Sequence, residues 1–289
     1  MRKVGSTTDT ADANGEYTNG NVAQGIAPTI INAEMLNTFQ RELVNVVEGA
    51  GIELDPSNDS QVLEAMKKLL SPGRLLNVKK FTTSGTYTPT PGTKSIIVEG
   101  VGGGGGAGGS FKTQTGYYTG TGGGGAGGYF KTRITSIPAS VNVTVGKGGK
   151  GGVGGTSPTA GESGGQTSFG TFVQASGGSG SSASQAAVNS GVAYQLGSGF
   201  GGFATGGNIL NSRGGDGGAS LIVKNGSGVS GAGGASHFDI GGSSQPWSNS
   251  GNPGGIGAGG GGSIHQDGSS IQPDGGDGGS GVIFVYEYS

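Results

Sequence analysis

The apolar positions change period once along the chain. Between residues 32 and 70 they follow a helical spacing, and from Leu76 onward they alternate in short runs. Leu36, Phe39, Leu43, Val46 and Ala50 recur at three and four, with Met35 and Val47 widening the stripe, which predicts a helix over 32–50. Asn32 suits its N-cap and Glu34 its first turn, and Gly49 and Gly51 close it. A second helix is predicted from about Ser57 to Leu70, with Val62, Leu63, Met66, Leu69 and Leu70 as its stripe and Pro72-Gly73 as its stop. The two stripes either bury each other in a hairpin, or Leu36, Phe39, Leu43 and Val46 form a parallel bundle with copies of the chain.

Beyond this region the expected strands are 78–83, 95–101, 129–134, 140–145, 166–175, 220–224 and 282–288. Residues 1–31 are polar and turn-rich and read as an extended arm. Residues 32–75 then form a helical region and 76–289 a glycine-rich β domain. The fold class is mainly β: a short helical region before a glycine-rich antiparallel β-sandwich-like domain with packed polyglycine-type segments.

Composition sharpens this. Of 71 glycines in 289 residues, 61 follow residue 100. GGGGAGGSFKT at 103–113 returns as GGGGAGGYFKT at 122–132, and GGDGGASLIV at 214–223 as GGDGGSGVIFV at 275–285. The spacing is irregular and no G-X-Y period exists, so neither a solenoid nor collagen is expected. Ordering glycine costs more entropy than ordering any other residue. The expected compensation is dense backbone hydrogen bonding between extended threefold helices packed side by side; the alternative is that many of these runs are mobile. A net charge of −2 argues against a nucleic-acid binder, and the absence of cysteine excludes disulfides and thiolate sites. No apolar run approaches a membrane span, and the N-terminus lacks the pattern of a secretory signal.

Little chemistry is legible, and neither an enzyme nor a cofactor or metal is expected. The many G-x-G-x-x-G matches lack the strand, helix and acidic residue that a dinucleotide site needs. His237 and His265 have no partner at metal-ligand spacing and read as surface or loop residues. Glu99, Glu162, Asp216, Asp239, Asp267, Asp274 and Asp277 are the carboxylates open to glycosidase chemistry. Asp216 and Asp277 read as turn residues beside glycine. Binding is the better prospect. Tyr117, Tyr118, Tyr194, His237 and Trp247 stand among small polar residues as candidate receptor contacts, whereas Phe200, Phe203 and Phe238 read as sparse core.

Two stretches resemble tail fibres of tailed bacteriophages and prophages. PTIINAEMLNTFQRELVNVVEGAGI at 28–52 with NDSQVLEAM at 58–66, within 12–70, is similar to their virion-attachment segment. FTTSGTYTPTPGTKSIIVEGVGGGGGAGG at 81–109 resembles the opening of the glycine-rich domain at fibre tips, and GGSGVIFVYEY at 278–288 its close. The resemblance implies a homotrimer bound to tail or baseplate proteins through its N-terminal part. It also implies a receptor-binding tip that meets lipopolysaccharide, capsule or an outer-membrane protein. Such a protein is made in the host cytoplasm, resides in the virion and is freed by lysis. The alternatives are a purely structural fibre or adaptor and, further off, a surface-glycan depolymerase.

Overall fold

The computed structural model describes residues 2–70, 73–184, 193–195, 197–223 and 227–289. It divides into two compact units, Met1–Arg74 and Leu75–Ser289.

In the first unit α1 spans Ala33–Gly49, and the Asn32 side chain accepts from the Met35 N–H at 2.9 Å, the expected cap. Helix α2 spans Gln61–Leu70 and starts four residues later than expected, because Asp55 and Asn58 turn the chain first. The helices meet through Val46, Val47, Ala50, Ile52, Val62 and Ala65. Leu36, Phe39 and Leu43 stay exposed, as do Leu63, Met66 and Leu69. The hairpin therefore buries one end of the first stripe and leaves Leu36, Phe39 and Leu43 uncovered, while Met35 is buried. Residues 2–31 turn back on themselves where an extended arm was expected. Gly5 donates to Gly15, Thr29 to Thr18, and Val4 is buried.

The second unit begins with a sandwich. Strands β1 (Leu75–Phe81), β2 (Gly85–Tyr87), β3 (Ser95–Val101), β4 (Tyr118–Gly120) and β5 (Tyr129–Ile134) come first. They are followed by β6 (Val141–Thr144), β7 (Thr167–Phe169), β8 (Val173–Ala175), β9 (Ala193–Gln195) and β10 (Ala204–Thr205). The last are β11 (Leu210–Ser212), β12 (Ser220–Val223), β13 (Ser227–Val229), β14 (Ile264–Gln266) and β15 (Val282–Tyr288). Two antiparallel five-stranded sheets, β1-β15-β3-β5-β11 and β10-β8-β7-β6-β2, bury one core between them. Ile96, Val98, Phe130, Ile283 and Val285 face Tyr87, Val141, Val143, Phe169 and Val173. Each such side chain contributes roughly 1.5–3 kcal/mol on burial. The run 166–175 is two strands rather than the single one expected, because Gly170 (φ 52) turns the chain between β7 and β8.

The strands run on into glycine segments whose order has a different origin. The amides of Gly102 and Gly105 donate to the carbonyls of Gly128 and Gly125. Those of Gly103, Gly106 and Gly109 donate to Gly165, Glu162 and Thr159, and those of Gly104, Ala107 and Ser110 to Gly279, Gly276 and Pro273, all at 2.8–3.1 Å. One neighbour per residue, repeating at every third, means three residues per turn. The carbonyls answer in the same way: Gly104, Ala107 and Ser110 accept from Gly149, Gly152 and Gly155, and Gly103, Gly106 and Gly109 from Gly178, Ser181 and Ser184. Segment 102–110 is thus enclosed by 121–128, 146–155, 159–165, 176–184, 257–263 and 273–281, and all of its residues are buried. Segment 121–128 sits in the same kind of cage, bonded to 102–110, 176–184, 197–203, 214–218, 230–235 and 257–263.

Glycine is required here for close approach. None of Gly102–Gly106 has a positive φ. A Cβ on Gly104 would lie 1.9 Å from the Ala258 carbonyl oxygen, and one on Gly105 would lie 2.1 Å from that of Ser179. Where the ladder would miss a rung, a hydroxyl fills it. Gly108 N–H donates to Ser181 Oγ at 2.8 Å, and that hydroxyl donates to the Gly122 carbonyl at 2.7 Å.

Candidate functional site

Strand β3 enters segment 102–110 at its first residue, and every other segment runs parallel or antiparallel to it, so the array has two ends. The sandwich lies at one end. The connections 111–120, 155–159, 246–250 and 264–272 lie at the other, as do 219–223, 227–229 and β9. Two small sheets form there, β13-β12-β9 and the β4-β14 ribbon. Leu75, where this unit starts, is in β1 at the sandwich end.

The loop end gathers Tyr117, Tyr118 and Trp247. Tyr118 lies in β4 opposite Gln266, and both tyrosines are half-buried. Trp247 is 66% exposed. The connection carrying it is tied to β14 by Ser248, whose hydroxyl accepts from Gln266 N–H at 2.9 Å, and by the Asn249–Ile264 bridge. Tyr194 lies in β9 opposite Leu221, and its side chain falls outside the described residues. His237 is not brought to this group. It occupies the turn between 230–235 and the next segment, at the sandwich end, where its ring stacks on Tyr129 with centroids 3.7 Å apart.

Trp247 (φ 61) and Asp267 (φ 51) are the non-glycine residues with positive φ among those described, and both lie at the loop end. Left-handed backbone costs an L-residue about 1–2 kcal/mol. The surroundings hold Asp267 by bonding its Oδ1 to Gly116 N–H at 2.8 Å.

His265, expected at the surface, is fully buried in β14. Thr113 N–H points at its Nδ1 (3.3 Å), so Nδ1 accepts and Nε2 carries the proton donated to the Ser269 carbonyl at 2.9 Å. The ring pins connection 111–120 to 264–272. The signal for this residue lay in its place between Ile264 and Gln266, inside a short strand that the surrounding glycine hid.

The carboxylates hold structure. Asp277 and Asp274 accept from Gly151 and Gly154 N–H, three residues apart on one segment, and Asp216 accepts from Gly201 N–H, each at 2.7 Å. Asp216 and Asp277 therefore belong to threefold segments and not to turns, and the repeated GGDGG was their signature. They satisfy amides at the rim of the array, where no further segment offers a carbonyl. The Gly151 amide and the Lys150 ammonium hold Asp277 below the ordinary carboxylate value. Phe200 and Phe203, expected in the core, are 66% and 64% exposed. Three residues apart in a threefold helix, they share its outer edge, and Arg213 stacks over Phe203 at 5.2 Å.

In the sandwich, Glu99 accepts from the hydroxyls of Tyr129 and Tyr286 at 2.7 Å, and the buried Glu287 from Tyr87 at 2.8 Å. Burial opposes each carboxylate, yet the bonds from Tyr129 and Tyr286, with Lys131, lower Glu99, and those from Thr90 and then Tyr87, with Lys79, lower Glu287. Burial first, then Glu99, raises Tyr129; the bond to Glu99 chiefly raises Tyr286, to about 12. Among the described residues no group of three His, Asp or Glu is placed to hold a metal ion.

A family model, the glycine-rich domain, matches residues 81–288. The chain belongs to the glycine-rich domain family. The match begins at Phe81, the last residue of β1, and ends at Tyr288, the last of β15, so it spans the array together with the sandwich except for most of β1. A search of curated proteins finds no match.

Proposed function

We propose that the chain is a tail-fibre adhesin of a tailed bacteriophage or prophage. In this reading the N-terminal unit holds it on the tail or baseplate as a homotrimer, and the loop end of the glycine-rich domain meets the bacterial surface. The attachment-like sequence at 12–70 supports the first half, together with the uncovered Leu36, Phe39 and Leu43. An apolar stripe of this kind is what a helical bundle of copies would bury.

One observation carries the second half: the strained residues and the exposed tryptophan are segregated to the end opposite the strand where the domain begins. Strained backbone persists where the surroundings over-determine it, and it clusters at ligand contacts. A rigid aromatic offers a large contact area at low entropy cost. Three copies on one fibre would gain avidity for a repeated surface glycan without tight binding at any single site.

The test is saturable binding of labelled full-length chain to bacterial strains with and without their surface polysaccharide. Trp247→Gly removes the ring and relaxes the backbone, so it is expected to lose binding while melting higher than the parent. A folded oligomer that ignores every strain yet binds tail proteins would make the protein a structural adaptor.

A further inference from the structure

The loop end contains three buried polar atoms without a hydrogen-bond partner: Oε1 and Nε2 of Gln266 and Oγ of Ser220. Ser220 is fully buried and Gln266 is 5% exposed. Ser220 lies beside Gly120 and Ile264, and Gln266 stands two residues along β14 from that point. Ile264 and Gln266 are two apart in β14, so their side chains leave the same face. Gly120 pairs with Ile264 across the ribbon, and a Cβ on Gly120 would lie 3.4 Å from Ser220 Oγ and 3.6 Å from Ile264 Cγ1. Ser220 and Ile222, two apart in β12, are both buried. These four residues therefore lie where the sheet β13-β12-β9 meets the β4-β14 ribbon.

Two isoleucines favour this contact and three unpaired atoms oppose it. Closing it strips water from an amide and a hydroxyl and returns no bond. Buried polar atoms in native proteins are nearly always bonded, so these atoms call for a partner, a water or a ligand. We infer that the closed contact is one state of a ligand site, and that it opens to take an uncharged, hydroxyl-rich ligand, a sugar unit of the bacterial surface. This inference rests on the adhesion reading and names its ligand class. The Gln266 amide presents an acceptor beside a donor, which matches two adjacent hydroxyls of a sugar ring, and Ser220 offers both roles. None of the four residues carries a charge to compensate a buried anion, so the site favours a neutral ligand. Ser248, bonded to the Gln266 backbone, places Trp247 alongside to stack on a sugar's apolar face. A contact opposed by unpaired groups is among the first to open locally, and a ligand that bonds those groups stabilises the open form.

The test uses the full chain, an array of immobilised neutral oligosaccharides, and the bacterial strains above. Gln266→Leu and Ser220→Ala should melt at or above the parent temperature and lose oligosaccharide binding about tenfold or more. A bound oligosaccharide should alter amide exchange in β12 and β14 and leave that of segment 102–110 unchanged. If both variants bind like the parent, the orphaned atoms only hold buried water; the inference falls and the adhesion reading stands. Binding to cells with no binding to the array overturns the sugar assignment alone. No binding to cells at all removes the adhesion reading, and this inference with it.

Discussion

The sandwich and the glycine array are joined strand to segment, yet they are ordered by opposite means. The sandwich buries side chains such as Phe130, Phe169 and Ile283 between two sheets. The array buries peptide groups: segment 102–110 has no side chain larger than Ser110, and each of its amides has a partner. The first kind of core tolerates small changes of shape and is harmed by lost volume. The second has no volume to lose and is harmed by any gain. Backbone bonds contribute only about 1 kcal/mol net each, so their density offsets the entropy of ordering glycine.

The largest expected effect is on the sandwich side. Phe130→Ala should cost about 3–5 kcal/mol in denaturant unfolding, through lost transfer energy and the cavity left behind. Gly104→Ala should come close, at about 3 kcal/mol, although it adds one methyl, because the obstacle at 1.9 Å is backbone. If Gly104→Ala were neutral, the array would be looser than described. Gly116→Ala sharpens the contrast: nothing lies within 4 Å, so only its φ of 80 is penalised, by about 1 kcal/mol. Gly49→Ala, at the end of α1 and in open space, should stabilise by about 0.5 kcal/mol. One substitution type thus ranges from severe to favourable according to what holds each region.

Acid should separate the two regions as well. Glu99 and Glu287 have lowered native values, so their contribution is present above the ordinary carboxylate value of 4.5 and is lost as pH falls through the lowered one. Asp277 in the array is lowered too, but its side chain is half-exposed and its loss is screened, so melting followed from pH 7 down to about pH 3 should show the sandwich weakening more. Glu99→Gln and Glu287→Gln should flatten that dependence.

Local order was legible in the sequence, and neighbourhood was not. The Asn32 cap, the α1 stripe and β3, β5 and β15 could be read because each rests on side chains that repeat along the chain. Ordered threefold glycine segments could be anticipated from the entropy argument. Which segment touches which could not, since a glycine looks the same to every neighbour and partners such as Gly104 and Gly279 lie far apart in the chain. The same blindness put Phe200 and Phe203 in a core and Asp216 and Asp277 in turns. Their i, i+3 spacing and the repeated GGDGG carried the correct reading once a threefold period was assumed. At the loop end, Tyr117, Tyr118 and Trp247 were visible as isolated aromatics. The strain at Trp247 depends on tertiary contacts that no local pattern encodes, and the short strand that buries His265 was hidden by the glycine around it.

The central claim is that the glycine segments are rigid because their amides bond laterally at every third residue. Amide hydrogen exchange resolved at Gly102 to Gly109 tests it directly. Protection factors matching those of β3 and β15 are expected, falling together with them only on global unfolding. Exchange at the rate of an unstructured chain in this segment, with β3 and β15 still protected, would contradict it.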